Sequence, residues 1–329
     1  MSIVPGSSWS HLWADVVRNL FGWFRAVGTE FRTRRGRFIV TMLPMLWLLL
    51  FFAVPFLIVL KISFAEAVFG QSPPYTPLIE RTTDGATSLR LQASSYALLL
   101  QDPLYVGAYL KSLLFAGVST LFCLLLGYPI AYGIARARPV WRMILLVLVI
   151  LPFWTSSLLR TYAMIGMLKA NGLISQALAW TGLVDPGTAI LHSDLAVYIG
   201  IVYNYLPFMV LPLTATLMRL DFGLLEAAAD LGAKPWQAFL RVTLPLSMPG
   251  IIAGALLVFI PAVGEFVIPD ILGGPDALTI GRVLWTEFFT NRDWPVAAAV
   301  AVAMLLLLVI PTLLFEYVEN RRERREAQA

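Results

Sequence analysis

Six long apolar runs constrain this chain more than any other feature of its sequence. The first covers residues 38–60 and contains no charged side chain in 23 positions. A helix of that length is about 35 Å long, and the hydrocarbon core of a bilayer is about 30 Å thick. The other runs cover residues 112–135, 143–159, 195–218, 246–267 and 295–315, and the third can be extended to residue 168. We therefore expect an all-α integral membrane protein with six transmembrane helices.

Composition agrees with this expectation and excludes several other classes. Hydrophobic residues make up 59% of the 329 positions and charged residues only 13%, which is unlike a soluble globular domain. The single cysteine, Cys123, allows no intramolecular disulfide, and the two histidines lie far apart, so no metal site is predicted. No nucleophile–base pair indicates catalysis. No phosphate-binding Gly-x-x-x-x-Gly-Lys-Ser/Thr loop is present, so any ATPase would be another chain.

Lysine and arginine are distributed unevenly among the segments that join the apolar runs. With the N-terminus in the cytoplasm, 16 of the 24 basic side chains fall on the cytoplasmic side and 7 on the outer side, while Arg160 lies in the third run. Basic residues accumulate in cytoplasmic loops. Both termini and the segment 219–245 are thus predicted to be cytoplasmic, and the basic character reflects topology rather than nucleic-acid binding.

The segment around residue 230 is the most polar stretch between two apolar runs, and it predicts two helices joined by an elbow. Asp221 is a candidate N-cap, and Glu226 lies early in the first helix, where the helix dipole favours a negative charge. Gly232 suits the position that ends the helix in a left-handed conformation. Pro235 suits the first turn of the next helix.

This segment resembles the EAA loop of permease subunits of ABC importers. The pattern is Glu-Ala-Ala, three residues, Gly, nine residues, an aliphatic residue, one residue and Leu-Pro, and valine stands here where isoleucine is commoner. The resemblance implies a coupling helix that docks on a cytoplasmic ATPase; the alternative is a short amphipathic helix resting on the membrane. The residues assigned to ATPase coupling are Glu226, Ala227, Ala228, Asp230, Gly232, Leu244 and Pro245, with Val242 as the aliphatic position.

Ionisable and aromatic side chains gather near the outer half of the predicted spans. Glu265 lies toward the outer end of the fifth run, Asp270 lies beyond that end, and Arg160 lies near the outer end of the third. Charges at this depth need a partner or water. The carboxylates either form structural pairs, such as Glu265 with Arg160, or line a path for a cation. Aromatic rings attract alkylammonium groups, and the candidates for this path are Trp154, Tyr162, Tyr198, Tyr203 and Tyr205.

A narrower resemblance covers most of the chain, from Pro44 to Pro311. Residues 102–105, 198–203, 264–269, 272–275 and 291–295 resemble permease subunits of polyamine ABC importers, type I and MetI-like in fold, and most of all the putrescine member. The resemblance implies a heterodimer with a second permease in the bacterial inner membrane, two ATPase subunits that bind ATP and magnesium, and a periplasmic polyamine-binding protein. The permease itself would bind no cofactor and would carry putrescine or spermidine.

The resemblance and the apolar pattern together divide the chain into five parts. They are an interfacial amphipathic N-terminal segment at 1–37, the first transmembrane helix at 38–60, a periplasmic loop at 61–111, a core at 112–318 that includes the coupling loop 219–245, and a basic cytoplasmic tail at 319–329. The long outer loop, with a predicted helix at 94–100, is either a docking surface or a plug. Two rival functions remain open: the same architecture carrying another solute, such as an amino acid or thiamine, and an ATP-independent secondary transporter.

Overall fold

The computed structural model describes residues 35–326 except 69, 71, 78, 82–86, 90, 183, 186 and 222. The predicted N-terminal amphipathic segment therefore lies almost wholly outside the described residues. The chain divides into two compact units, Met1–Lys61 and Ile62–Ala329.

One continuous helical run makes up the described part of the first unit and ends just beyond it. It consists of α1 (Arg35–Leu48), a π-helical turn (Leu49–Ala53) and α2 (Val54–Ser63). The portion Val40–Ser63 is long and apolar enough to cross a membrane, with a mean hydropathy of 2.6. The predicted first span is confirmed as a helix.

The segment that follows contains the only strands in the part of the chain that the structure describes. Strands β1 (Ile79–Arg81) and β2 (Thr87–Leu89) pair antiparallel, with Ile79 opposite Leu89. Each strand begins with a β-branched residue, Ile79 or Thr87, and residues of this kind are favoured in strands. The predicted helix at 94–100 is confirmed as α3 (Ser94–Gln101).

Three long helices form the centre of the second unit. They are α4 (Pro103–Arg136), α8 (Asp194–Leu217) and α11 (Leu244–Val263), and they pack against one another along their length. Met209 on α8 lies at their junction. A Cβ at Gly127 on α4 would stand 3.1 Å from Met209 Cγ, and one at Gly254 on α11 would stand 2.7 Å from its Sδ. Glycine on both neighbours therefore allows the close approach of the three helices.

The third predicted span is bent rather than straight. Helix α5 (Pro139–Ile150) continues into a 3-10 turn (Leu151–Trp154), and α6 (Ser157–Leu168) follows at 92° to the first arm. Pro152 lies in the 3-10 turn, and Thr155 is extended, which ends the helical hydrogen bonding. A short helix, α7 (Leu173–Trp180), leads to α8.

Short helices complete the unit on both sides of α11. Before it lie α9 (Gly223–Asp230), α10 (Pro235–Ala238) and a π-helical turn (Phe239–Thr243). After it lie α12 (Val267–Leu272), α13 (Ile280–Trp285), a π-helical turn (Thr286–Asn291) and α14 (Trp294–Glu326).

The described residues contain four helices that are long and apolar enough to span a membrane, or five if the bent pair counts as one. The apolar part of α14, Trp294–Val309, is shorter. The prediction that the fifth helix contains Glu265 is wrong, because α11 ends at Val263. The predicted tail at 319–329 continues as helix to Glu326.

Candidate functional site

The elbow near residue 230 has the geometry that its sequence predicts. The Asp221 Oδ1 atom accepts a hydrogen bond from the Gly223 amide at 2.9 Å, at the start of α9. Gly232 has φ +82°, its amide donates to Ala229 O at 2.8 Å, and the Ala233 amide donates to Ala228 O at 3.0 Å. These two bonds form a Schellman motif, which satisfies the last carbonyls of α9 and needs a residue in the left-handed region.

The surface of the elbow is unusually apolar for an exposed helix. Leu231 is 89% exposed, and Leu224 and Trp236 are also exposed. Glu226 and Ala227 are exposed beside them. Exposed apolar side chains that cluster in this way are typical of a protein contact surface or a membrane contact surface.

The remaining residues of the motif lie away from this surface. Leu244 and Pro245 form the first turn of α11, beyond the π-helical turn that contains Val242. The residues assigned to ATPase coupling therefore divide into a mostly exposed group on α9 and at Gly232, and a second group where α11 begins.

Glu265 lies in a short break between α11 and α12 and is hydrogen-bonded on both carboxylate oxygens. Tyr205 on α8 donates its hydroxyl to Oε2 at 2.6 Å. Oε1 accepts from the amides of Val267 at 3.0 Å and Ile268 at 3.3 Å, so it caps the first turn of α12. The side chain thus joins two helices at the break.

Asp270 on α12 forms an ion pair with Arg282 on α13, with Oδ1 and Nε 3.0 Å apart. Both side chains are partly exposed. The two predicted carboxylates therefore each have a partner within the chain, and neither partner is Arg160.

Arg160 on α6 lies instead between two aromatic rings. Its guanidinium carbon is 5.6 Å from the centroid of Phe153 and 6.0 Å from that of Tyr203, within the range of cation–π attraction. Its Nε and Nη1 atoms are shielded and have no hydrogen-bond partner among the described residues.

The aromatic candidates fall into two groups. Trp154 is 80% exposed, and Tyr162 and Tyr203 are exposed as well, around the bend between α5 and α6 and on the neighbouring α8. Tyr205 is half-buried against Glu265, and Tyr198 packs edge-on against Phe115, with centroids 5.0 Å apart. The first group has exposed ring surface, although the Tyr203 ring already lies 6.0 Å from the Arg160 guanidinium carbon. The second group holds helices together.

A cluster that the sequence did not indicate lies where α14 begins. The Tyr105 hydroxyl donates to Glu287 Oε1 at 2.9 Å, and the Asn291 amide donates to Oε2 at 2.9 Å. Burial raises the pKa of Asp293 above its ordinary value; nearby Glu287 raises it further, while the Val296 amide lowers it. Glu287 and Tyr105 are 182 positions apart, so no sequence spacing could have linked them.

No group of three or more histidine, cysteine, aspartate or glutamate side chains that could hold a metal ion occurs in the described ranges.

Comparison with known proteins identifies relatives over most of the chain. The "Spermidine/putrescine transport system permease protein PotB" of Haemophilus influenzae is 41% identical over 271 residues, which is 82% of this chain and 89% of that protein. The protein of the same name from Escherichia coli K12 is also 41% identical, over 82% of this chain and 92% of its own length.

A solved structure has the same fold at low identity. A bacterial ABC transporter involved in the import of the acidic polysaccharide alginate contains a chain that matches with a TM-score of 0.59 and 17% identity, covering 95% of this chain and 99% of that one.

Residues 19–324 match a family described as "Binding-protein-dependent transport system inner membrane component". A match over so much of the chain, with relatives at 41% identity, is decisive for membership. The chain belongs to this family of inner-membrane transport subunits, and it is a multi-pass membrane protein rather than an enzyme.

Proposed function

We propose that this chain is a permease subunit of an ATP-driven importer that takes up a polyamine, putrescine or spermidine, from a periplasmic binding protein. The observation that carries the proposal is the 41% identity to two spermidine/putrescine permeases over more than four fifths of the chain. The exposed elbow at Glu226–Gly232 supports it, because a subunit without its own nucleotide site needs a contact surface for an ATPase.

The proposed topology has six spans and both termini in the cytoplasm. In chain order, the first, second, fourth and fifth spans are the four long apolar helices, the third is the bent pair α5 and α6, and the sixth is the apolar start of α14. The excess of lysine and arginine in alternate segments supports this orientation. The elbow then lies in the cytoplasm, where an ATPase can reach it.

The proposed complex contains a second permease, two ATPase subunits that bind ATP and magnesium, and the binding protein. Binding of ATP closes the ATPase pair, and α9 carries that movement into the spans. The cavity between the permeases opens alternately to the two sides. This chain contributes no catalytic group and no cofactor site of its own to the cycle.

The proposed substrate path runs over the exposed rings of Trp154, Tyr162 and Tyr203. Each ring can attract an alkylammonium group by about 0.5–2 kcal/mol. Asp270 adds a partly exposed negative charge, although the ion pair with Arg282 partly neutralises that charge. Glu265 with Tyr205 shapes the path by holding α12 against α8.

The experiment that tests the proposal is ATP hydrolysis by the reconstituted complex with its binding protein. Putrescine, spermidine and a neutral amino acid are supplied in turn. Stimulation by one or both polyamines, together with their uptake, is the expected result. Stimulation by the amino acid alone would keep the architecture and overturn the polyamine substrate. Polyamine uptake without ATP would favour a secondary transporter.

A further inference from the structure

We infer that Phe239 is a positioning residue that transmits movement of the elbow to α4. The inference rests on the proposed function, because it assumes that an ATPase displaces α9 and α10. It adds a specific side-chain route that the loop pattern does not contain, since position 239 is one of the nine unspecified positions of that pattern.

Phe239 begins the π-helical turn directly after α10, and its ring contacts two tyrosines of α4. The ring centroids are 5.4 Å from Tyr128 and 6.5 Å from Tyr132, with interplanar angles of 83° and 86°. Tyr128 and Tyr132 are one helical turn apart, so they lie on the same face of α4. Edge-to-face pairs have preferred distances and orientations, so movement of the central ring displaces both neighbours.

Both tyrosines are held in place by other contacts. The Tyr128 hydroxyl shares a hydrogen bond of 3.0 Å with Ser247 Oγ on α11. The Tyr132 hydroxyl accepts from Arg136 Nη1 at 3.1 Å, and the Arg136 guanidinium lies 5.5 Å from the Tyr132 centroid. Neither tyrosine ring can turn aside without losing a polar contact. Tyr128 and Tyr132 therefore form a clamp that holds the Phe239 ring against one face of α4.

The clamp links two elements that are distant along the chain. The end of α4, Arg136, and the start of α9, Gly223, are separated by α5 to α8. The backbone joins the elbow directly to two of the three central helices, α8 before it and α11 after it, but not to α4. A push at the elbow therefore reaches α8 and α11 through the backbone, whereas it reaches α4 through Phe239. Since protein interiors are close-packed, such contacts transmit displacement rather than absorb it.

The π-helical turn itself has the character of an element that can change state. Turns of this type are rare and frequently occur at functional sites. The Thr243 Oγ1 atom in this turn is buried and has no hydrogen-bond partner in the part of the chain that the structure describes. A buried hydroxyl without a partner raises the free energy of this arrangement. A rearrangement of the turn that supplied a partner would recover that energy.

The test uses the whole reconstituted complex with a polyamine-loaded binding protein. Three permease variants are compared with the unaltered chain: Phe239→Ala, Phe239→Tyr and Phe259→Ala. Phe259, on α11, is the matched control. Its ring is half-buried, as that of Phe239 is, but it packs against a cluster of buried residues that does not include Tyr128 or Tyr132. Basal ATP hydrolysis, its stimulation by the loaded binding protein, and uptake are measured on each complex.

Phe239→Ala is expected to assemble and to keep its basal hydrolysis. Its stimulation and uptake are expected to fall by roughly 5- to 150-fold, the usual size of a coupling between two sites. Phe239→Tyr and Phe259→Ala are expected to keep both. The inference would be overturned if the complex with the unaltered chain is stimulated and the Phe239→Ala complex shows the same stimulation and uptake.

A second variant keeps the test informative if Phe239→Ala does not assemble. Replacing Tyr128 and Tyr132 together by leucine leaves the elbow intact and removes the clamp from the α4 side. The same loss of stimulation is expected, and its absence would overturn the inference. If the unaltered complex is not stimulated at all, the proposed function fails, which is a distinct result from failure of Phe239 alone.

Discussion

The elbow and the break between α11 and α12 differ in how their polar residues are bound. We call the second region the outer break, after its place in the proposed topology. At the elbow, helix α9 exposes Glu226 and apolar neighbours such as Leu231, and its hydrogen bonds at Gly232 are local backbone bonds. At the outer break, Glu265 and Asp270 are bound by side chains or amides of other elements. The elbow is therefore available to a partner, whereas the carboxylates of the break already hold helices together.

The largest effect is expected where the elbow depends on one backbone conformation. Gly232→Val places a β-branched residue at φ +82°, which costs about 1–3 kcal/mol locally. We expect membrane insertion to persist and uptake to be lost, as measured by transport into vesicles.

Gly182→Val is the matched control for this prediction, because Gly182 also has positive φ, +76°, but lies in the loop after α7. It should retain uptake. Retained uptake in Gly232→Val, with the ATPase still bound, would remove the elbow from the coupling route.

The next largest effect is expected at the outer break, where Glu265 joins α8 to α12. Hydrogen bonds to a charged group contribute about 1.5–3 kcal/mol. Glu265→Ala should therefore lower thermal stability in detergent more than Tyr205→Phe does, and Glu265→Gln should weaken uptake of a divalent polyamine cation.

A double-mutant cycle sharpens the prediction for this pair. Because Tyr205 and Glu265 are in direct contact, the effects of Tyr205→Phe and Glu265→Ala on stability should not add, with an interaction energy of about 0.5–3 kcal/mol. Additive effects would mean that the bond contributes nothing to stability. Unchanged uptake in Glu265→Gln would mean that Glu265 has a structural role and does not act on the substrate.

A smaller effect is expected at the exposed rings of the path. Trp154→Ala and Tyr203→Ala should each raise the half-saturating polyamine concentration for uptake by about 2- to 30-fold, which corresponds to losing about 0.5–2 kcal/mol of cation–π attraction. Trp154→Phe should keep most of the affinity. Trp180→Ala serves as the control, since this ring is also exposed but lies at the end of α7; an equal change there would contradict the proposed path.

The smallest effect is expected at Asp293. Its pKa is raised on folding, so the folded state binds the proton more tightly than the unfolded state. This contribution to stability is fully present below the ordinary pKa near 3.8 and is lost as pH rises through the raised value. Asp293→Asn should flatten the decline of thermal stability with pH in the acid range. An identical pH profile in the variant would mean that the Asp293 carboxyl does not cause this decline in stability.

The difference between the two regions also explains what could be predicted from the sequence. The elbow is built from contacts between residues at most five positions apart, such as Ala228 with Ala233, so its helix, glycine and proline could be read directly. The outer break depends on the pair of Tyr205 with Glu265, 60 positions apart, and the cluster at the start of α14 depends on the pair of Tyr105 with Glu287. The sequence indicated that Glu265 needs a partner but could not identify Tyr205.

The transmembrane spans also show that local features can be predicted from the sequence more readily than contacts between distant segments. Apolar run length predicted the helices at 38–60 and 195–218 closely, because hydropathy and helix length are local properties. The 92° bend after Trp154 and the end of α11 at Val263 were missed. Both depend on where freed backbone groups find partners, as the Val267 amide does at Glu265.

The most direct test of the central claim, that the exposed elbow is a cytoplasmic contact for an ATPase, is cross-linking from single cysteines. The native Cys123 is fully buried and gives little background. Ala227→Cys on α9 and Trp180→Cys on α7 are compared in membranes that contain the whole complex. Ala227→Cys is expected to cross-link to an ATPase subunit and to resist a membrane-impermeant thiol reagent added from outside. Trp180→Cys is expected to react with that reagent and not to cross-link to the ATPase. Labelling of Ala227→Cys from outside, or cross-linking of Trp180→Cys to the ATPase, would contradict it.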